Sequence, residues 1–290
     1  MLSIAAPPAM RAHAREARRA GRSIGFVPTM GALHAGHLAL VAEARSRTDI
    51  VALSVFVNPL QFGPGEDFTR YPRDLARDAA LAEQAGVDVL WAPSTEAMYP
   101  DRPSVTVAPG PAGDRLEGEI RPGHFGGVLT VVLKLFSVVE PDVAVFGRKD
   151  FQQAALVRRM ARDFSLPVEI VVAPTVREAD GLALSSRNVY LDAQGRAAAV
   201  ALPRALARGV AAFRGGERDA RSLTGCVGEV LAVESRLAVD YVACVGPEEI
   251  EPLETVDGRS VLAVAARVGP TRLIDNVVLG DGLEGDVRVA

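Results

Sequence analysis

Short apolar runs alternate with helical patterns over the first 175 residues of the chain. Five of these runs are rich in β-branched residues and almost free of charge, which is typical of buried strands. The runs are SIGFV (23–27), DIVALSVFVN (49–58), VDVLWA (87–92), DVAVFG (142–147) and PVEIVVA (167–173). Between them, apolar residues at helical spacing predict helices over residues 37–47, 73–86, 126–140 and 150–164. This alternation predicts an α/β fold, with a parallel sheet that has helices on both faces.

The pattern changes after about residue 176. Two Ala- and Arg-rich helical stretches, 196–214 and 219–233, precede three strand-like runs at 238–245, 260–268 and 271–279. An Asp-Gly pair at 257–258 marks a turn before the second of these strands. We therefore predict two domains, residues 1–175 and residues 176–290, and the second is a smaller α+β domain with an antiparallel sheet.

Charge and composition narrow the possible functions. The 290 residues include 32 basic and 36 acidic side chains, for a formal net charge of -4. This balance argues against a nucleic-acid or membrane-surface binder, which would need a basic face. Two cysteines, Cys226 and Cys244, are too few for a disulfide framework, and we expect buried free thiols. The N-terminus has no apolar signal-peptide region, and the apolar stretch 128–139 is short and contains Lys134, so we expect a cytoplasmic protein.

The segment PTMGALHAGH (28–37) contains two of the four histidines, and we call it the histidine turn. It follows a predicted strand and leads into a helix, which places it at the carboxyl edge of the sheet, where such folds bind ligands. Gly31 and Gly36 permit close approach to a phosphate, and the helix start offers free N–H groups and a partial positive charge. His34 and His37 can each donate a hydrogen bond to an anion. The alternatives are one capping and one core histidine, or a zinc site, for which the sequence offers no further ligand cluster.

Two further segments contain polar side chains next to predicted elements. Asn58 and Gln61 follow the longest strand, and their amides are suited to read the hydroxyl and carboxylate groups of a small substrate. Asn-Pro is also a common turn signal, so an ordinary turn remains an alternative. Arg121 and His124 lie in a glycine-containing loop that either delivers charge to a ligand or is a plain surface loop.

The last two segments lie near the predicted domain boundary. Lys149 follows the strand DVAVFG and is suited to place a point charge on phosphates. Asp150 either caps the next helix or accepts from a ribose hydroxyl, and Gln153 lies one turn into that helix. Ser185 and Arg187 belong to SSR (185–187), at a junction where a mobile loop could close over a triphosphate.

Together these segments resemble a known family. H-x-G-H (34–37) after the first long strand resembles the signature of the nucleotidylyltransferase superfamily, which includes class I aminoacyl-tRNA synthetases. Within it, PTMGALHAGH, the string around Asn58 and Gln61 with YPR (71–73), RPGHF (121–125) and SSR are similar to the pantoate–β-alanine ligase family. Leu184 stands where that family usually has methionine, a residue of similar volume. The resemblance extends from about residue 20 to 192 and implies a Rossmann-like fold of the nucleotidylyltransferase type.

The resemblance also implies an activity and a set of site residues. The activity is ATP-dependent condensation of pantoate with β-alanine through a pantoyl adenylate, with His37, His34 and Lys149 as the catalytic residues. For ATP the implied contacts are Met30, Gly31, Ala32, Leu33, His34, Ala35, Gly36, His37, Gly147, Arg148, Lys149, Asp150, Val176, Leu184, Ser185, Ser186 and Arg187. For pantoate and β-alanine they are Pro28, Thr29, Asn58, Gln61, Arg121, His124 and Gln153. Asp78 aligns with an acidic position that is associated with Mg²⁺.

The family further implies a homodimer whose second domain closes over the ATP site, with small-molecule substrates and neither nucleic acid nor membrane as a partner. Two alternatives remain open at this point. One is a different nucleotidylyltransferase that transfers a nucleotide to a phosphate acceptor. The other is a nucleotide-binding module without turnover, which would not need Gln61 and Gln153 to form a second pocket. A tRNA synthetase is less favoured, because the chain has no basic surface.

Overall fold

The structure is a computed structural model that describes residues 1–101 and 103–289, and its internal contacts divide the chain into two units. The first unit consists of Met1–Gly147 and Gln152–Ala173. The second consists of Arg148–Phe151 and Pro174–Ala290. The short Arg148–Phe151 segment interrupts the first unit in sequence, and a division based on the linear pattern of the chain does not reveal it.

A six-stranded sheet organises the first unit. Its strands are β1 (Leu2–Ile4), β2 (Ile24–Thr29), β3 (Ile50–Val55), β4 (Val89–Trp91), β5 (Val143–Gly147) and β6 (Glu169–Ala173). The helices that connect them are α1 (Pro7–Arg19), α2 (Ala35–Arg45), α3 (Leu75–Gln84), α4 (Thr95–Met98), α5 (Glu117–Ile120), α6 (His124–Val139) and α7 (Phe151–Asp163). The strand order is β1-β4-β3-β2-β5-β6, and every pairing in it is parallel. The predicted α/β class and its five predicted strands are confirmed, whereas β1 and α1 were not predicted.

Helices cover both faces of this sheet, as the charge-free strands predict. Successive side chains of a strand point to opposite faces. Phe26 and Ala52 pack in a core with α1, α6 and α7, whereas Val27 and Leu53 pack in a second core with α2 and α3. Across the described residues, every helix is too short or too polar to cross a bilayer.

The second unit packs helices against an antiparallel sheet. Its helices are α8 (Ala193–Ala199), α9 (Ala201–Arg214) and α10 (Ala220–Ala232), and its strands are β7 (Val176–Arg177), β8 (Leu237–Val245), β9 (Val261–Val268), β10 (Thr271–Val278) and β11 (Val287–Arg288). The three longer strands form an antiparallel sheet in the order β10-β9-β8, which confirms the predicted α+β character. The two-residue strands β7 and β11 pair in parallel and were not predicted. The first predicted helical stretch is two helices, α8 and α9, which meet at Val200.

A buried ion-pair cluster ties β7 to β10 and to the chain before β11. The guanidinium of Arg177 donates to both oxygens of Asp275 at 2.7 and 2.9 Å, and its Nε donates to Asp286 at 2.6 Å. All three side chains are almost fully buried. Burial lowers the pKa of Arg177, but the charges of the two carboxylates outweigh burial and hold this pKa above its ordinary value. Arg177 therefore keeps its positive charge at neutral pH.

We expect Arg177→Met to lower the free energy of unfolding by about 3–5 kcal/mol, because it leaves two buried carboxylates without their counter-ion. Denaturant titration monitored by circular dichroism measures this loss. Arg214→Met is the matched control, because the pair of Arg214 with Glu284 is exposed and should stay close to the parent. Equal stability of the two variants would contradict the role assigned to the Arg177 cluster.

Candidate functional site

The predicted site residues of the first unit lie at one edge of its sheet. The chain order along the sheet reverses between β2 and β5, which are adjacent. Ligands of open parallel sheets bind at such a switch point, beside the carboxyl ends of the strands. The histidine turn begins in the last two residues of β2, Asn58 follows β3, and Gly147 ends β5.

The buried side chain of Asp78 on α3 holds the histidine turn. Its two carboxylate oxygens accept from the N–H groups of Ala32 at 2.9 Å and Leu33 at 2.8 Å. Ala32 has a left-handed backbone (φ 51°), a conformation that costs a non-glycine residue about 1–2 kcal/mol. Gly31 (φ 85°) is required beside it, since a Cβ there would lie 2.8 Å from Asp78 Oδ2 and 2.9 Å from Val55 Cγ1. Asp78, expected from the resemblance as a metal ligand, is thus a buried residue that fixes this backbone.

Both histidines of the turn use Nδ1 to accept a backbone hydrogen bond. His34 is the N-cap of α2, and its Nδ1 accepts from the N–H of Gly36 at 3.2 Å. His37 Nδ1 accepts from the N–H of His34 at 3.3 Å, and the two ring centroids lie 4.1 Å apart. Because Nδ1 accepts, each neutral ring has its proton on Nε2. These hydrogen bonds form a capping box at the start of α2, in which both histidines take part. Both rings are half-buried, so neither is a core histidine.

The backbone of the turn differs from the sequence expectation of free N–H groups. The N–H groups of Ala32 and Leu33 donate to Asp78, and those of His34 and Gly36 donate to the imidazoles. The N–H of Gly31 donates to the hydroxyl of Thr29 at 3.1 Å. Much of the backbone of this turn is therefore bonded internally.

Asn58 and Gln61 form a buried amide pair, with 1% and 9% of their surface exposed. Asn58 Nδ2 donates to Gln61 Oε1 and to the carbonyl of Gly127, each at 3.1 Å. Gln61 Nε2 donates to the sulfur of Met30 at 3.3 Å. The structure thus joins three predicted site residues that follow two neighbouring strands.

Tyr99 also belongs to this cluster, and sequence reasoning missed it. Its hydroxyl donates to Asn58 Oδ1 at 3.0 Å. The segment EAMYP around it contains neither a glycine turn nor a charge pattern that would point to a site.

Arg121 and His124 both have protein partners, and the expectation that their loop delivers charge to a ligand stays a prediction. Arg121 makes a bidentate pair with Glu66, with both distances 2.7 Å. Its Nη1 lies 3.0 Å from His124 Nε2, and His124 Nδ1 lies 2.8 Å from the carbonyl oxygen of Gln61. Burial, and then the charge of Arg121, lower the pKa of His124 to about 4. The neutral ring therefore donates from Nδ1 and braces the backbone of Gln61.

Gln153, on α7, is half-buried, and its neighbour Gln152 is buried. The amide of Gln152 donates to the carbonyls of Ala112 and Arg115 at 2.9 Å and accepts from the N–H of Glu117. Gln152 was not predicted, and it anchors the segment before α5 to the helix that contains Gln153.

In the second unit, Lys149 lies in a short helical turn, Arg148–Asp150, that we call the lysine turn. The side chain of Asn276 on β10 donates to the carbonyls of Arg148 at 3.1 Å and Lys149 at 2.8 Å. Arg148 pairs with Asp281 at 2.8 Å, and Lys149 Nζ lies 3.5 Å from Asp150. Asn276 was not predicted as a site residue. It anchors the lysine turn, whose Lys149 was predicted.

The SSR segment lies in the same unit and packs against the same strand as the lysine turn. Ser185 caps the short helix Ser186–Tyr190, and its hydroxyl accepts from the N–H of Arg187 at 3.3 Å. This short helix and the lysine turn both pack against β10. The carbonyl of Val176 accepts from the N–H of Leu184 at 2.9 Å, so β7 and the SSR segment are joined as well.

Neither cysteine is suited to nucleophilic catalysis. Burial raises the pKa of Cys244 to about 12 and also raises the pKa of the half-buried Cys226. In the part of the chain that the structure describes, no three His, Cys, Asp or Glu side chains group around a possible metal position.

Comparison with known proteins identifies a family. The profile of the family described as "Pantoate-beta-alanine ligase" matches residues 3–278. A pantothenate synthetase of Pelotomaculum thermopropionicum is 54% identical over 271 residues, covering 93% of this chain and 96% of that relative. The crystal structure of pantothenate synthetase from Thermus thermophilus superimposes with a TM-score of 0.91 at 48% identity, covering 96% of this chain and 99% of that one. The ligase of Francisella tularensis, solved as a complex with "Beta-gamma ATP and Beta-alanine", has a TM-score of 0.79 at 32% identity, with coverages of 98% and 99%.

The pKa of His124 predicts how stability depends on pH. Between pH 6.5, its ordinary value, and about 4, its folded value, the unfolded chain binds more protons than the folded one. The contribution of His124 is complete above pH 6.5 and is lost as the pH falls towards 4, by up to about 3 kcal/mol. Urea titrations from about pH 4 to 7 should therefore show a flatter pH dependence for His124→Gln than for the parent. His13→Gln, on α1, is the control, and identical slopes for the parent and His124→Gln would contradict the assignment.

Proposed function

The chain belongs to the pantoate-beta-alanine ligase family, and we infer from this that it is a ligase that joins pantoate to β-alanine with ATP, forming a C–N bond. The family match over residues 3–278 is the observation on which this conclusion rests. The Francisella tularensis relative, solved with an ATP compound and β-alanine, supports ATP as a substrate. The histidine turn and the amide pair supply suitable groups at the sheet edge where such folds bind ligands.

The chemistry of the two substrates explains why ATP is needed. A carboxylate does not react with an amine directly, since oxide would be the leaving group. We propose that a carboxylate oxygen of pantoate attacks the α-phosphorus of ATP and that the bond to pyrophosphate breaks. The amine of β-alanine then attacks the acyl carbon of the pantoyl adenylate, AMP leaves with the C–O electron pair, and the nitrogen loses a proton. No enzyme nucleophile is required, and catalysis rests on positioning and charge stabilisation.

In this proposal the histidine turn binds the phosphates. His34 and His37 each accept a backbone hydrogen bond at Nδ1, which places the proton of the neutral ring on Nε2. A neutral imidazole in this tautomer donates a hydrogen bond without a change of protonation. We assign proton donation to the phosphates chiefly to His37, with His34 beside it.

Lys149 supplies the point charge for the departing pyrophosphate, with help from Ser185, Ser186 and Arg187. Composition supports this role, since Lys134 and Lys149 are the two lysines among 32 basic residues. Arginine replaces lysine almost everywhere else in the chain. A compact ammonium group differs chemically from a planar guanidinium, and a lysine in a turn beside a predicted nucleotide site suits phosphate binding.

Pantoate is assigned to the amide pair and to Gln153 of the first unit. Gln61 presents its amide from a turn braced by His124, and the side chain of Met30 adds an apolar surface. Asn58 and Gln61 are buried, and uncharged amides are suited to bind a small dihydroxy acid.

Mg²⁺ is expected to accompany ATP, but the described residues do not form a cage for it. Asp78 is buried, and both of its oxygens accept backbone hydrogen bonds. Mg²⁺ usually keeps several waters and binds through substrate phosphates. We therefore propose that it enters with the ATP phosphates and not through Asp78.

The family resemblance further supports a homodimer in the cytoplasm, where ATP is available. Light scattering coupled to size exclusion tests the dimer, and a monomer mass at micromolar concentration would exclude it.

The central test of the function is a product assay with ATP, pantoate and β-alanine. We expect AMP, pyrophosphate and pantothenate in equal amounts, and exchange of labelled pyrophosphate into ATP only when pantoate is present.

His37→Ala and Lys149→Ala should each lower the rate of adenylation by at least about 10²–10³-fold while remaining folded, because each removes one transition-state donor. His13→Ala is the control. A nucleotide-linked product without AMP, or near-normal turnover of either variant, would contradict the corresponding part of the proposal.

Asp78→Asn tests the structural role of Asp78 against a metal role. One of the two backbone N–H groups would then face an amide N–H₂, and we expect a loss of about 1–3 kcal/mol in stability and a lower rate. The Mg²⁺ concentration that gives half-maximal activity should not change. Asp74→Asn is the matched control, because this helix cap accepts one N–H, which asparagine accepts equally well. A large increase in the Mg²⁺ requirement of Asp78→Asn alone would restore the metal role.

A further inference from the structure

The orientation of the buried Asn58 amide is fixed by two backbone groups. The N–H of Leu60 can only donate, and it points to Asn58 Oδ1 at 3.3 Å. The carbonyl of Gly127 can only accept, and it lies 3.1 Å from Asn58 Nδ2. The helix backbone comes this close because residue 127 is glycine, since a Cβ there would lie 2.2 Å from the carbonyl oxygen of Leu60. The oxygen and nitrogen of Asn58 can therefore be placed in only one way.

Every hydrogen-bonding position of the Asn58 side chain is then in use. An asparagine amide offers two N–H donors and two acceptor lone pairs. The donors go to Gln61 Oε1 and Gly127, and the acceptors receive Leu60 N–H and the hydroxyl of Tyr99. Asn58 thus has no position left for a substrate, although the family resemblance places it beside pantoate.

The fixed Asn58 in turn fixes the amide of Gln61. Because Gln61 Oε1 accepts from Asn58, Gln61 Nε2 must point the other way, where its partner is the sulfur of Met30 at 3.3 Å. A thioether is a weak acceptor, so an oxygen atom of a ligand can replace it at little cost. Gln61 therefore offers N–H donors and not a carbonyl oxygen.

Tyr99 completes this arrangement from the far side of Asn58. Its hydroxyl approaches Asn58 Oδ1 more closely, at 3.0 Å, than the N–H of Leu60 does. The ammonium of Lys134 lies 5.3 Å from the centroid of the Tyr99 ring, which is a cation–π contact, and the ring of Phe56 packs at 6.0 Å. Burial raises the pKa of Tyr99 to about 12, so its hydroxyl keeps its proton over the working pH range.

We propose that Tyr99 is a positioning residue that acts through Asn58 to hold Gln61 with its N–H groups towards the substrate, so that this subsite reads a hydroxyl oxygen of pantoate. The inference rests on the proposed function, because pantoate is the ligand assigned to Gln61. Lys134 contributes by holding the Tyr99 ring, which gives the second lysine of the chain a role in the same pocket.

The test is Tyr99→Phe, which removes one hydroxyl and keeps the ring. We expect the KM for pantoate to rise about tenfold, the usual effect of one lost hydrogen bond, with kcat and the KM for ATP within about twofold of the parent. Lys134→Met should raise the KM for pantoate by about two- to threefold, since this cation–π contact only supports the ring and leaves the hydroxyl of Tyr99 in place. Tyr241→Phe, the same substitution on β8 of the second unit, is the matched control.

Selectivity between pantoate and its deoxy analogues distinguishes a positioning role of Tyr99 from a general structural defect. The parent should favour pantoate over its two monodeoxy analogues, 2-hydroxy-3,3-dimethylbutanoate and 4-hydroxy-3,3-dimethylbutanoate. In Tyr99→Phe the ratio of kcat/KM values for pantoate and one of these analogues should narrow about tenfold, because the lost donor geometry matters only where the acceptor is present. A structural defect would instead lower kcat/KM for pantoate and both analogues by the same factor.

The possible outcomes are distinct. A parent enzyme that forms no pantothenate contradicts the proposed function itself. An active parent whose Tyr99→Phe variant keeps both its KM for pantoate and its selectivity overturns the role of Tyr99 and leaves the function intact. Equal losses for all three acids also overturn it, because they assign Tyr99 to stability alone.

Discussion

The buried carboxylate of Asp78 is the interaction on which the first unit's site depends. A turn between a parallel strand and a helix exposes several N–H groups at once, and each buried one needs a partner. Asp78 takes two of them, at Ala32 and Leu33, and so permits the left-handed backbone that directs the next residues towards the sheet edge. The two imidazoles complete the turn by accepting from His34 and Gly36. The same rings then serve both the local fold and the chemistry assigned to them.

Other polar side chains of the site are likewise held by hydrogen bonds and ion pairs to protein partners. Glu66 pairs with Arg121, and burial together with the charge of Arg121 keeps His124 uncharged behind Gln61. In the second unit, Asp275 pairs with Arg177 and also accepts from the N–H of Asn276. Polar side chains held at both ends by protein partners lose little conformational freedom when a ligand binds. Both units thus place the side chains assigned to substrates on supports that are already formed.

The elements that could be predicted from sequence were those whose own hydrophobic pattern determines their structure. Strands buried on two faces, such as β3 and β5, are apolar over most or all of their length, and the amphipathic helices between them keep their period. Strands β1, β7 and β11 lie outside the apolar runs identified in the sequence and form beside a partner strand, whereas the equally short β4 lies within the run 87–92 and was predicted. The assignment of the Arg148–Phe151 segment to the second unit depends likewise on long-range contacts.

The resemblance to the family identified candidate site residues but not the residues that hold them in position. It pointed to Gln61 and Lys149, yet the residues that hold them, Tyr99 and Asn276, lie 38 and 127 positions away in the chain. Asp78 and Arg121 illustrate the same limit, because each looks like a free charge in the sequence until its partners are known. A side chain that positions another side chain has no recognisable local sequence motif, because its role depends on which residues the fold places next to it.

The interleaved path of the chain has an evolutionary consequence. Because Arg148–Phe151 belongs to one unit and the residues on either side to the other, the chain crosses between the units three times, and no single crossover point separates them. A recombinant gene that joined residues 1–173 of one relative to the remainder of another would combine a lysine turn and an Asn276 of different ancestry. Inheritance of the two units is therefore coupled, and their histories should be traced as one lineage and not as two exchangeable modules.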